Sequence, residues 1–170
     1  EFGIAHFDEK VIKYYEELVK HLGSASRYQL LGALFANSKI VGMDNRIPAI
    51  RGKMGGYTYY AFSIQPETLL KIGYVLHRSE ANEGMMPTYQ RIIKKARLKS
   101  VHDFIENHGF FPNSIVISID AKKPLQFDLS EKQGTDAVAK LGILHLPNEY
   151  RSAYIIDGQH RLYGYSDSHY

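Results

Sequence analysis

Ala153-Tyr154-Ile155-Ile156-Asp157-Gly158-Gln159-His160-Arg161-Leu162 is the stretch whose reading decides the fold. Four apolar, β-favouring residues form a short buried strand. Asp157-Gly158 ends it, and residues 159–166 open a helix. The first N–H groups of a helix lack internal partners and carry partial positive charge, so such a turn favours anions. Gly158 permits tight backbone geometry and close approach of a ligand. Arg161 offers a planar fork to phosphate oxygens, and His160 can donate to a phosphate or transfer a proton near neutral pH. Asp157 can cap the helix, orient His160 or Arg161, or hold a metal ion. The plainer reading, a capped helix with a surface arginine, stays open on spacing alone.

Working outward, Ser114–Ile119 reads as a strand, with shorter strands at Gln126–Leu129 and Leu141–Leu146. Phe110-Phe111-Pro112-Asn113 reads as a turn. Residues 89–107 read as a helix broken near Lys95, and residues 79–88 as a polar loop. Tyr57–Ile64 is an aromatic strand, followed by a helix that starts at Pro66 and runs to about Leu76. At the other end, Val11, Ile12, Tyr15, Leu18, Val19 and Leu22 recur at helical spacing between Asp8 and Gly23. Ser24 or Ser26 then caps a second helix that stops near Asn37. Residues 38–56 read as a loop rich in Gly, Asn and Pro. Strands alternating with helices predict an α/β fold, with α+β as the alternative. The predicted domains are 1–56, a helical hairpin with its connecting loop, and 57–170, an α/β unit cut at its C-terminal end.

Composition narrows the function classes. An apolar fraction of 44% supports a packed core rather than disorder. The formal net charge of +3 is too small to imply a polyanion partner by itself. The absence of cysteine removes disulfides, thiolate metal sites and thiol nucleophiles. No apolar run reaches the roughly 18 residues that span a bilayer, and no signal peptide is visible at the start. A prokaryotic cytoplasmic location, without membrane contact, is the expectation. The chain begins without Met and stops soon after the informative turn, so it reads as an internal fragment.

The segment Ile155–Leu162 resembles the signature of the DGQHR family, which includes the DndB proteins of DNA phosphorothioation systems. It is also similar to the Asp-Gly-Gln-Gln-Arg motif of the GmrSD modification-dependent restriction nucleases. Both sit in the wider ParB/sulfiredoxin-like group, in which the equivalent turn binds or hydrolyses nucleotides. Met86-Pro87-Thr88-Tyr89-Gln90-Arg91 resembles the Pro-x-Tyr-Gln-Arg segment that accompanies that turn. Phe111–Val116 resembles the strand that follows the intervening helix. The resemblance covers about residues 57–168. It implies a mixed sheet with flanking helices, and a nucleotide- or DNA-linked role. Sulfiredoxin relatives use a Cys in the turn, so their reductase chemistry is excluded in this cysteine-free chain. No His-Asn-His nuclease segment is present to match the restriction relatives.

The predicted nucleotide or phosphate site is Gly158, Gln159, His160 and Arg161, joined by Gln90 and Arg91. If the chain is an enzyme, His160 and Asp157 are its catalytic candidates. Asp157 is also the one candidate metal ligand, since His102, His108 and His145 show no metal-ligand spacing. Lys94, Lys95 and Arg97, within a basic cluster that includes Arg91 and Lys99, form a candidate nucleic-acid backbone site. An exposed solvated helix face is the alternative. His77-Arg78 reads as the cationic end of a helix. Tyr57, Tyr59 and Tyr60 read as core or cross-strand partners more readily than as base-stacking platforms. Gly52-Lys53-Met54-Gly55-Gly56 lacks Walker spacing and reads as a turn.

Three functions fit. The first is a DNA-associated regulatory or defence module of a DNA modification system. The second is a nucleotide or phosphodiester hydrolase. The third is a structural protein-interaction domain. ATP or another nucleotide with Mg2+ is the expected cofactor. DNA and other modification or defence proteins are the expected partners.

Overall fold

The computed structural model describes residues 23–75, 94–119, 123–131 and 138–168. The helix expected over 8–22, the loop over 79–88, His77, Arg78, Gln90 and Arg91 lie outside these residues. Within them the chain is a mixed α/β structure. Helix α1 covers residues 23–34. It is followed by β1 (Arg46–Met54), β2 (Tyr57–Phe62), α2 (Pro66–Ile72), β3 (Gly73–Tyr74) and α3 (Lys95–Glu106). The rest is β4 (Val116–Ile119), β5 (Phe127–Leu129), β6 (Lys140–His145), β7 (Ala153–Asp157) and α4 (Gln159–Gly164).

The strands form two sheets. One is antiparallel, in the order β2-β1-β6-β5. The other has the order β3-β7-β4, with β7 parallel to β3 and antiparallel to β4. The expected strand at 153–156 thus lies in the middle of its sheet. Its faces differ, however. Ala153 and Ile155 are fully buried, whereas Ile156 is exposed. The apolar run is therefore one-sided at its end, as a strand period of two dictates.

β1 corrects the loop expected over 38–56. Ile47 and Ala49 face the core in alternation, and the strand pairs on both sides. Pro48 masks this pattern in sequence, because proline cannot donate to a ladder. The pairing with β2 begins only at Ala49–Phe62, so Pro48 lies beyond that ladder. Gly55 and Gly56 turn the chain back with φ of 56° and 84°, as a tight hairpin between right-twisted strands requires.

α2 begins at Pro66 as expected but ends at Ile72 rather than near Leu76. Gly73 leaves the helix in an extended conformation, φ −74° and ψ 142°. A Cβ there would stand 2.7 Å from the Leu69 carbonyl and 3.3 Å from Ile155 Cδ1. The missing side chain lets β3 lie against β7. α4 also ends earlier than expected, at Gly164.

The start of α1 is capped from a distance rather than by its own serines. Ala25 N–H donates to Ser166 Oγ at 2.8 Å and Ser24 N–H donates to Asp167 Oδ2 at 3.0 Å. Ser26 turns its hydroxyl back to the Gly23 carbonyl instead. The exposed N–H groups of one helix are thereby satisfied by the segment that follows α4. Leu70, Ile72, Leu144, Leu146, Ile155 and Leu162 form the centre of the core, drawn from both sheets, α2 and α4. Among the described residues no helix is long and apolar enough to cross a membrane.

Candidate functional site

The Asp157–Arg161 turn sits where the central strand β7 meets α4. Gly158 adopts φ +93°, in the left-handed region that side chains disfavour. A Cβ there would lie 2.9 Å from Ile115 Cγ1 and 3.1 Å from an Arg161 guanidinium nitrogen. The glycine is needed both for its dihedral and for its closeness to Ile115, just ahead of β4.

Arg161 is held from two sides. Its Nη2 donates to Asp157 Oδ2 at 2.8 Å, across one helical turn, and its Nη1 donates to the Asn113 carbonyl. Its side chain is 17% exposed, while that of Asp157 is 70% exposed. Asp157 therefore orients Arg161, one of the roles open to it from sequence. A guanidinium carries five N–H donors, so donors remain for a ligand after these two contacts. The Asn113 carbonyl was invisible to sequence reasoning, because any residue type supplies one. Phe111, in the same loop, is set by ring contact with Phe104 of α3 at 4.8 Å.

A cleft of about 900 Å³ opens between the sheets and is lined by Arg161. Residues of β2 and β4 form its walls, including Tyr60, Phe62, Ile117 and Ser118, and Lys123 adds a second cation. Polar residues such as Thr58, Ser63 and Ser114 share the lining with apolar ones, and the volume is in the range of small-molecule sites.

Gln159 and His160 do not line this cleft. Gln159 is 7% exposed, and its Nε2 has no hydrogen-bond partner among the described residues. A buried amide nitrogen of this kind normally finds an acceptor. Lys94 N–H approaches His160 Nε2 at 3.5 Å, a long contact in which the ring nitrogen accepts. The start of α3 is thereby brought beside the turn. Farther along, His102 Nδ1 donates to the Gly164 carbonyl at 3.0 Å, and Gly164 lets Val101 approach closely.

Lys94 and Arg97 are exposed, as is Lys99. The first turn of α3 holds no acidic residue and Lys94 provides no side-chain cap. Cations at the positive end of a helix are locally unfavourable, by about 0.3–1 kcal/mol each. A phosphate placed there would reverse that sign. Of the predicted site residues, the structure sets Asp157 and Gly158 against Arg161, which lines the cleft, and places His160 beside Lys94. Gln90 and Arg91 lie outside the described residues. Among the described residues no group of three or more His, Asp or Glu side chains is placed to hold a metal ion.

Of the tyrosines, Tyr60 packs against the core and on Phe127 of β5, with ring centroids 5.6 Å apart, the core role being one of the two expected for it. Tyr57 is instead exposed at the end of the hairpin.

A family model described as DndB, DNA-sulfur modification-associated, matches residues 47–168. It begins in β1, earlier than the stretch the motifs marked, and ends just after α4. No curated protein and no solved structure matches the chain.

Proposed function

The chain belongs to the DndB family, DNA-sulfur modification-associated, and from that premise we propose that it is a DNA-associated regulatory or defence module that binds nucleotide or DNA phosphate at the Asp157–Arg161 turn. The observation that carries this reading is Arg161, fixed by Asp157 and Asn113 while lining a cleft between the two sheets. A guanidinium already held in place loses little freedom when it meets a phosphate. Tyr60, Phe62 and Phe111 in the same cleft suit the flat face of a base. Lys123 supplies a further cation. Mg2+ would arrive with the nucleotide's phosphates, as it commonly does, rather than in a protein cage. Lys94, Lys95 and Arg97 would lie along a DNA backbone. The proposal extends to a ParB/sulfiredoxin-like kinship, a cytoplasmic location and contacts with other proteins of the modification system.

Binding is favoured over turnover, because the Asp157 carboxylate is taken up by Arg161 rather than left to activate water. The test is titration of ATP, with and without Mg2+, together with phosphate release. It uses the wild type, Ser118→Phe to fill the cleft, and His160→Ala. Weaker binding in Ser118→Phe with no phosphate release from any protein supports a sensor. Release that falls roughly 100-fold in His160→Ala, with a smaller loss of affinity, would instead identify a hydrolase. Equal ATP binding by wild type and Ser118→Phe would remove the cleft from the proposal.

A further inference from the structure

The β1–β2 hairpin projects past the sheet that supports it. β6 pairs with β1 only as far as Arg51–Lys140. Beyond that point Gly52, Lys53 and Met54 pair, among the described residues, with Tyr59, Thr58 and Tyr57 alone. At about 3.3 Å per residue, this two-stranded ribbon overhangs its neighbour by roughly 10 Å. Among the described residues a Cβ added at Gly55 or Gly56 would meet nothing within 4 Å.

The overhang also exposes large side chains at its end. Met54 is 75% exposed and Tyr57 is 81% exposed, side by side as the last cross-strand pair. Large apolar side chains at a protruding tip cost solubility unless something receives them. Lys53 and Thr58 form the next pair and are exposed too, and Lys140 is exposed at the ribbon's base. Between Asp44 and Glu67 the chain carries Arg46, Arg51 and Lys53 and no carboxylate. The ribbon is stiff, because Tyr59 lies across Gly52 so closely that a Cβ there would stand 2.5 Å from the phenol ring. Arg51 at its root is occupied by the Phe127 ring, 4.8 Å away.

A stiff two-stranded ribbon with a cationic flank, no negative charge and an apolar tip fits a nucleic-acid groove. The major groove of B-form DNA, about 12 Å wide, admits a two-stranded β-ribbon. We propose that the β1–β2 hairpin enters a groove of duplex DNA, with Met54 and Tyr57 against base-pair edges and Lys53 and Lys140 on the flanking phosphates. This rests on the DNA-associated reading above, but it assigns the contact to an element remote in sequence from the Asp157–Arg161 turn.

The experiment measures binding of a labelled duplex by the whole chain across a salt series, with ATP titration and thermal melting as parallel readouts. It compares wild type, Lys53→Ala and the double variant Met54→Ser with Tyr57→Ser. Gly55-Gly56 is kept in each, so the turn still forms. The double variant is expected to lose on the order of tenfold or more in duplex affinity. Lys53→Ala is expected to reduce the slope of log affinity against log salt by about one. Both should melt as wild type does and bind ATP equally. Unchanged duplex affinity in the double variant, with the wild type binding well, would overturn the hairpin assignment and leave the turn untouched. Loss of affinity for another protein of the modification system, with duplex binding retained, would make the tip a protein contact and overturn it equally. A wild type that binds ATP but no duplex would remove both the hairpin inference and the DNA part of the reading beneath it.

Discussion

Gly158 shows how a single residue sets the geometry of the turn. Its φ of +93° is costly for any side chain, and the space a Cβ would occupy belongs to Ile115 and Arg161. Gly158→Ala is expected to lower stability by about 1–2 kcal/mol from the dihedral alone, read by thermal or denaturant unfolding. It should also displace the Arg161 guanidinium, so ATP affinity should fall by more than the stability loss explains. A second residue-scale expectation concerns Asp128. The His145 ring, 2.6 Å away on the neighbouring strand, holds its carboxyl below the ordinary range, helped by the Gln126 side-chain amide. A carboxyl lowered by folding contributes stability above its ordinary value, and that contribution is lost as pH falls through the lowered one. An NMR titration should find the Asp128 midpoint below that of a free aspartate, and His145→Ala should return it toward the ordinary value. An unshifted midpoint in the wild type would dismiss the pair as unimportant in solution.

At the scale of elements, α3 carries the sharpest expectation. Replacing Lys94, Lys95 and Arg97 with Ala should weaken DNA binding across all sequences and flatten its salt dependence, since such contacts displace counterions rather than read bases. Helix stability should not suffer, because all three substitutions remove positive charge from the N-terminal end of the helix and alanine is the better helix former at positions 95 and 97. Unchanged affinity would assign these side chains to a solvated face. The elements also differ in how readable they were. β7 and β4 announce themselves as apolar runs, and the Asp-Gly step marks where β7 ends. β1 was hidden because Pro48, Gly52 and its charged residues imitate a loop, while its pairing is decided by β2 and β6, which no local pattern reveals. The early end of α2 was hidden for a related reason: Gly73 is needed for its closeness to Ile155, a partner far along the chain. At the site, residue types pointed to the turn, but the Asn113 carbonyl and the cleft arise from the fold alone.

At the scale of the whole molecule, one core serves both sheets and the turn. Ile155 is fully buried in the central strand that ends at Asp157, and its Cδ1 lies against the position of Gly73. Ile155→Ala is expected to cost about 2–5 kcal/mol of unfolding free energy, because the cavity cannot collapse between paired strands. The consequence should reach ATP binding as well. The parallel pairing of β3 with β7 closes over α3, β4, β5 and β6 before Gly73 and Ala153 can meet. Contacts so distant in sequence form late, because the intervening chain must lose its freedom before they return any stabilisation. A chain emerging from the ribosome completes β7 and α4 after everything else described here. The Asp157–Arg161 turn, and the cap that Ser166 and Asp167 place on α1, therefore await the closing of this long loop. Until β7 is paired the nascent protein has neither Arg161 held by Asp157 and Asn113 nor the start of α1 capped, so the geometry of the turn exists only once the sheet has closed.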